Sequence, residues 1–179
     1  MTGEAGDFWV FGYGSLMWRP DFNHVEARTA RAHGYHRALC IYSIRFRGSP
    51  GRPGLVFGLD RGGSCRGCAY RVATENVDEV IAYLDDREML NKVYVPKYLK
   101  VRLDDGRRVS AYGFVARRDH RQYAGKLPVA RAAELIRQGR GPHGSGLEYV
   151  ANTVRHLDDI GIHDDFLHRV LAAARAGRG

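Results

Sequence analysis

A glutamate on the apolar side of a helix and two glycines closing an apolar strand are the features of this chain best placed to do chemistry. Over residues 76–89, Asn76 is a good helix N-cap with Glu79 three residues on, and Val77, Val80, Ile81 and Leu84 recur at helical spacing through to Met89. An advance of about 100° per residue puts Val77, Ile81, Leu84 and Glu88 within roughly 60° of one another, so Glu88 points where the apolar residues point. Asp86 falls on the solvent side and Asp85 at the edge, which leaves Glu88 as the acid of Asp85-Asp86-Arg87-Glu88 that approaches the core. A carboxylate drawn out of water holds its proton more tightly and can accept and return one near neutral pH. An acid in a last helical turn can equally be solvated or paired with an arginine, and the spacing leaves both roles open.

The second feature is Phe8-Trp9-Val10-Phe11-Gly12-Tyr13-Gly14-Ser15-Leu16-Met17-Trp18. Phe8, Trp9, Val10 and Phe11 are β-formers suited to a buried strand, and Gly12 and Gly14 then bare the backbone at alternate positions. Amides that no ladder partner claims can converge on an anion or on a carbonyl oxygen that is gaining charge. A tight turn capping a core strand is the plainer reading, because the third glycine of a nucleotide fingerprint is missing. Ser15 lacks the second glycine of a nucleophile elbow, so its hydroxyl reads as a hydrogen-bonding wall rather than an attacking group.

The tetrapeptide Tyr13-Gly14-Ser15-Leu16 after one strand resembles the signature loop of the γ-glutamylcyclotransferases, and Phe8-Trp9-Val10-Phe11-Gly12 before it resembles their ChaC branch. Arg45-Phe46, Gly51-Arg52-Pro53-Gly54, Gly67-Cys68-Ala69-Tyr70-Arg71, Arg87-Glu88-Met89 with Tyr94 and Pro96, and Gly141-Pro142 with Glu148-Tyr149 are similar to ChaC-type segments in the same order. The resemblance covers nearly the whole chain. It implies an enzyme that cyclises the γ-glutamyl group of glutathione to 5-oxoproline and releases cysteinylglycine. A cyclotransferase for other γ-glutamyl amino acids or amines is the alternative within that chemistry. The resemblance also places a catalytic glutamate in an Arg-Glu pair at this helix end, which is Arg87-Glu88, and implies a substrate-binding loop of Gly12, Tyr13, Gly14, Ser15, Leu16 and Met17. Arg45 matches a ChaC-type position and could meet a substrate carboxylate or be a surface charge. Tyr94 and Tyr149 fit lining, core or cap roles equally. The substrate brings its own nucleophile, the α-amine, so neither a cofactor nor a metal is expected.

The elements that must hold these residues follow from pattern. Strands are expected over 8–11, 25–32, 36–44, a hairpin of 55–59 and 65–72 around Asp60-Arg61-Gly62-Gly63-Ser64, and a second hairpin of 98–103 and 108–116 around Asp104-Asp105-Gly106-Arg107. Residues 45–54, rich in glycine and proline, must be a loop, and its Arg45, Arg47 and Arg52 could face a carboxylate. Besides the helix after Asn76, helices are expected from Pro128, Leu147 and Asp164. The result is an α+β fold, a mostly antiparallel, barrel-like sheet of about six strands with about four helices. It is read as one domain over 1–179 with frayed tails at 1–7 and 173–179.

Composition bounds the rest. Three cysteines argue against a disulfide framework and fit a reducing compartment. Neither a leader nor a membrane-length apolar run is apparent, so a soluble cytoplasmic protein is expected. A formal charge of +8 would attract anions such as glutathione. The basic residues are scattered, so nucleic acid is not expected as a partner, although a non-catalytic basic binding protein is the alternative of a different class. Cys65-x2-Cys68 lies in a strand, where residues three apart face opposite sides, and His33 and His36 meet the same objection as metal ligands.

Overall fold

The computed structural model describes residues 6–88 and 92–177. These divide into two compact units, one from residues up to 37 and 58–117, the other from residues 38–57 and 118 onward.

The main sheet is a closed barrel with strand order β1-β3-β2-β4-β5, where β1 is Phe8–Gly12, β2 Glu26–Ser43, β3 Gly54–Val72, β4 Tyr94–Leu103 and β5 Arg108–Ala116; all of it belongs to the first unit except residues 38–43 of β2 and 54–57 of β3. Only the β1–β5 pair is parallel among the pairings described, with Val10 opposite Tyr112. All five residues of β1 are buried, and their alternation explains it. Trp9 and Phe11 join Ala30, Leu59, Ala69, Leu99, Val101 and Ala111 in a cluster drawn from every barrel strand. Phe8 and Val10 face the other way, with Leu16, Val72, Tyr112, Phe114 and two residues of helix α1 (Val77–Glu88), Val80 and Leu84. A strand buried on both faces reads as a continuous apolar run, as 8–11 does.

Two expectations about strands are corrected. Residues 25–32 and 36–44 form the single strand β2, and the hairpin expected around Gly62-Gly63 is the interior of the single strand β3. Gly34, Gly62 and Gly63 take positive φ, +90°, +102° and +67°, without reversing the chain. Glycine inside a strand marks a sharp bend or bulge as readily as a turn, and a small closed barrel needs such bends. The barrel therefore has five strands where about six were expected. The β4–β5 hairpin is as read: Gly106 has φ +90°, and its N–H donates to the Leu103 carbonyl at 3.0 Å.

The helix read from an Asn76 N-cap starts instead through a 3-10 turn, Thr74–Asn76, running directly into α1. The extension to Met89 lies outside the described residues, as do residues 1–5, 90–91 and 178–179.

In the second unit, α2 (Val129–Gln138), α3 (Gly146–Asp159) and α4 (Asp165–Ala176) pack on one another. They bury Ala132, Leu135, Ile136, Val150, Val154, Leu157, Leu167, Val170 and Leu171. Helix α4 continues through Ala176, past Ala172 where fraying was expected. Alanine is the strongest helix former, and Ala174 is fully buried. Two-residue strands β6 (Arg140–Gly141) and β7 (Gly144–Ser145) precede α3, and residues 45–53 are loop. Among the described residues no helix is long and apolar enough to cross a membrane.

Candidate active site

Strand β1 delivers the glycine loop from between two partners, β3 on one edge and β5 on the other. A Cβ on Gly12 would come within 2.8 Å of the Leu16 Cβ, so the bare α-carbon lets the 3-10 turn Ser15–Met17 fold back against the strand end. The Met17 amide donates to the Gly14 carbonyl at 2.9 Å and the Arg19 amide to that of Ser15 at 2.8 Å. The amides of Ser15 and Leu16 open the turn with no carbonyl upstream to claim them, and they have no partner among the described residues.

Three side chains from distant positions fasten this loop. The Tyr70 hydroxyl donates to the carbonyls of Leu16 at 2.7 Å and Met17 at 3.0 Å. Burial pushes its phenol well above the ordinary range, which keeps the donated proton in place. Arg37 donates from Nε to the Tyr13 carbonyl at 2.7 Å and from Nη2 to the Arg66 carbonyl at 2.6 Å, with the Met17 sulfur 3.7 Å away. Arg87 donates from Nη2 to Ser15 Oγ at 2.7 Å and from Nη1 to the Arg19 carbonyl and the Tyr83 hydroxyl, both at 2.9 Å. Ser15 thus accepts from a cation, an arrangement opposite to one that would activate it as a nucleophile.

The Arg87 guanidinium also faces Glu88, with Nε 3.8 Å from Oε1. A single guanidinium therefore joins the loop at Ser15 to the carboxylate at the end of α1. The Glu88 side chain is 20% exposed. Burial pushes its carboxyl above the usual range, and the positive charge of Arg87 opposes that only in part. The helical count is right for Asp86, which is exposed, and for Val80 and Leu84, which are buried. It understated Asp85, which is half-buried and accepts a hydrogen bond from the Tyr112 hydroxyl at 2.9 Å. Tyr94, at the start of β4, packs on the apolar cluster that seats α1.

Arg45 and Tyr149 belong to the second unit. Arg45 is exposed, its guanidinium 5.3 Å from the Phe46 ring, which stacks on His143 at 4.3 Å. The Tyr149 hydroxyl accepts from the Phe57 amide at 3.3 Å, and its ring carries the Arg47 guanidinium at 5.2 Å. Arg47 Nη1 also donates to the Ser145 carbonyl at 3.3 Å. Cys65 lies in the barrel interior cluster, whereas Cys68 sits beside Tyr70, its thiol pushed up by burial. His33 and His36 are exposed, and His36 Nδ1 lies 3.0 Å from the Gly62 carbonyl.

Arg37, Tyr70 and the loop-tying role of Arg87 were not among the sequence-based candidates. A hydroxyl in an otherwise apolar strand, as at Tyr70, was the available signal, since buried tyrosine hydroxyls find a partner.

The family described as ChaC-like protein matches residues 8–176. A glutathione-specific γ-glutamylcyclotransferase of Escherichia coli (strain K12) is 34% identical over 172 residues, 96% of this chain and 74% of the relative. Glutathione-specific γ-glutamylcyclotransferase 1 of Mus musculus is 36% identical over 177 residues, 96% of this chain and 79% of the relative. The fold is similar to the crystal structure of a yeast γ-glutamylcyclotransferase specific to glutathione, with a TM-score of 0.87 at 22% identity over 97% of this chain and 98% of that one.

Proposed function

The chain belongs to the ChaC-like family, and we infer from it that the protein is a γ-glutamylcyclotransferase cleaving glutathione, with Glu88 carrying the proton and the loop from Gly12 to Met17 holding the glutamyl end. The observation that carries the site assignment is the joint held by Arg87, which links Ser15 and a carboxylate shifted toward neutral pH.

The chemistry asks little else of the protein. The α-amine of the glutamyl group attacks the γ-carbonyl carbon, a new C–N bond closes the five-membered ring, and the bond to the cysteine nitrogen breaks. Glu88 takes a proton from the attacking amine and returns one to the departing nitrogen, so it ends as it began. The amides of Ser15 and Leu16 are oriented by their turn to meet negative charge, either the substrate's α-carboxylate or the oxygen of the tetrahedral intermediate. Closing a flexible γ-glutamyl chain into a ring is a matter of holding amine and carbonyl together, and a loop anchored at Tyr13, Ser15, Leu16 and Met17 can supply that restraint. The products are 5-oxoproline and cysteinylglycine.

The test is incubation of purified protein with reduced glutathione and chromatography for both products in equal amounts. Absence of both sinks the reading. Turnover of γ-glutamyl amino acids in preference to glutathione would keep the reaction and replace the substrate.

A further inference from the structure

The corner between α3 and α4 gathers three side chains able to bind metal. Asp158 is in the last turn of α3, His163 in the connection and His168 in α4, spaced Asp158-x4-His163-x4-His168. One donor atom from each lies within 4.8 Å of the other two. We propose that Asp158, His163 and His168 bind one divalent transition-metal ion, zinc being the reference case, through a carboxylate oxygen and two imidazole nitrogens, with water completing the coordination.

The backbone here is fixed by bonds that owe nothing to an ion. Gly161 turns the chain at φ +76°, with its amide donating to the Asp158 carbonyl at 3.0 Å. Ile162 is buried and its amide donates to the Leu157 carbonyl at 2.8 Å. Asp164 then caps α4 by accepting from the Leu167 amide at 3.1 Å. The three ligands thus project from a corner already set, and the ordering cost of binding falls mainly on side chains.

The distances leave a side-chain movement between this arrangement and a closed site. In a tetrahedral zinc site with bonds of about 2.0–2.1 Å, neighbouring ligand atoms are about 3.4 Å apart. His168 Nε2 and Asp158 Oδ1 are 3.0 Å apart, close to such an edge. A carboxylate only accepts, so His168 donates its Nε2 proton across that gap. An ion would take the proton's place, and the neutral ring would carry its proton on Nδ1 instead. The His163 ring stacks face to face on that of His168 at 4.5 Å and 21°, which keeps the two imidazoles adjacent, and one ring must rotate to aim its in-plane nitrogen at a shared ion. Bringing at most 4.8 Å down to a tetrahedral edge takes no more than about 1.4 Å, within the reach of side-chain rotation. Imidazole with carboxylate is a donor set that suits zinc, nickel or copper rather than calcium or magnesium. Bound there, the ion would tie the end of α3 to α4.

The test uses full-length protein without a histidine tag, stripped with EDTA, exchanged into thiol-free buffer and titrated with zinc chloride by calorimetry. One saturable equivalent is expected, together with a rise of the thermal transition on adding zinc. His163→Ala and Asp158→Asn should each weaken binding about tenfold or more. His163 lies outside the helices, so its variant keeps the fold and decides the matter if Asp158→Asn does not. The double variant His33→Ala, His36→Ala should bind as the parent does. No saturable uptake, uptake indifferent to His163→Ala, or uptake abolished by Cys68→Ser overturns the proposal. Glutathione turnover is not a readout, so failure here leaves the proposed function untouched.

Discussion

Glu26 and Glu88 are carboxylates of nearly equal exposure, 18% and 20% of the side chain, and they are shifted in opposite directions. Glu26 accepts from Arg28 Nε and Arg71 Nε, both at 2.9 Å, and from Arg107. Its carboxyl is held down to about 2, chiefly by the hydrogen bonds of Arg28 and Arg107. Glu88 has one arginine beside it, with Nε 3.8 Å away, while Nη1 and Nη2 of that arginine donate to Arg19, Tyr83 and Ser15. Burial prevails there and the carboxyl is pushed up. Side-chain surface area alone does not separate the two. What separates them is desolvation, the largest influence on Glu88, which at Glu26 is outweighed by the hydrogen bonds of Arg28 and Arg107.

Four substitutions would break or sharpen this contrast. Glu88→Gln keeps size and removes proton exchange, so kcat for glutathione should fall about 10² to 10⁴-fold while binding persists. The sign of its stability effect is a second test. A carboxyl with a raised folded value favours the native state below its ordinary value and loses that advantage as pH rises through the raised one, so at neutral pH the glutamine variant should melt no lower than the parent. A lower melting temperature there would make Glu88 structural.

Arg87→Ala should lower kcat about 10 to 10²-fold by releasing the loop, with Lys restoring little because it lacks the fork. It also removes the cation that lowers the Glu88 value, so the pH–rate limb assigned to Glu88 should move to higher pH. A profile that keeps its position would uncouple the two residues.

Glu26→Gln should leave turnover unchanged and cost about 1–2 kcal/mol, since three arginines lose their shared acceptor. Its stabilisation is present above the ordinary carboxyl value of 4.5 and lost as pH falls toward about 2. Melting curves between those limits should therefore converge for parent and variant, and parallel curves would contradict the assignment. Asp86→Asn, on the exposed side of α1, should change turnover by less than about twofold and stability by less than about 0.5 kcal/mol.

The parts legible in the sequence were those governed by local repetition. The phase of α1 located Val80, Leu84, Asp86 and Glu88, and Asp105-Gly106 located a hairpin. Gly62-Gly63 misled because positive φ serves a bend as well as a reversal, and only the closure of the barrel selects between them. Arg37 and Tyr70 escaped because they meet the loop from 24 and 54 residues away, where no spacing rule reaches. The Asp158, His163 and His168 cluster escaped because its spacing matches neither a helix face nor a strand face and depends on the turn at Gly161.

The parallel pairing of β1 with β5 bears on how the protein is made. Val10 is opposite Tyr112, so the first strand of the chain cannot complete its hydrogen bonds until about a hundred further residues have left the ribosome. The loop that follows it is synthesised well before the second partner of its strand. A nascent chain halted before residue 108 would carry Tyr13, Gly14 and Ser15 on a strand with one edge unpaired and its contacts with Ala111, Tyr112 and Phe114 unmade, a species prone to mispairing and to capture by chaperones.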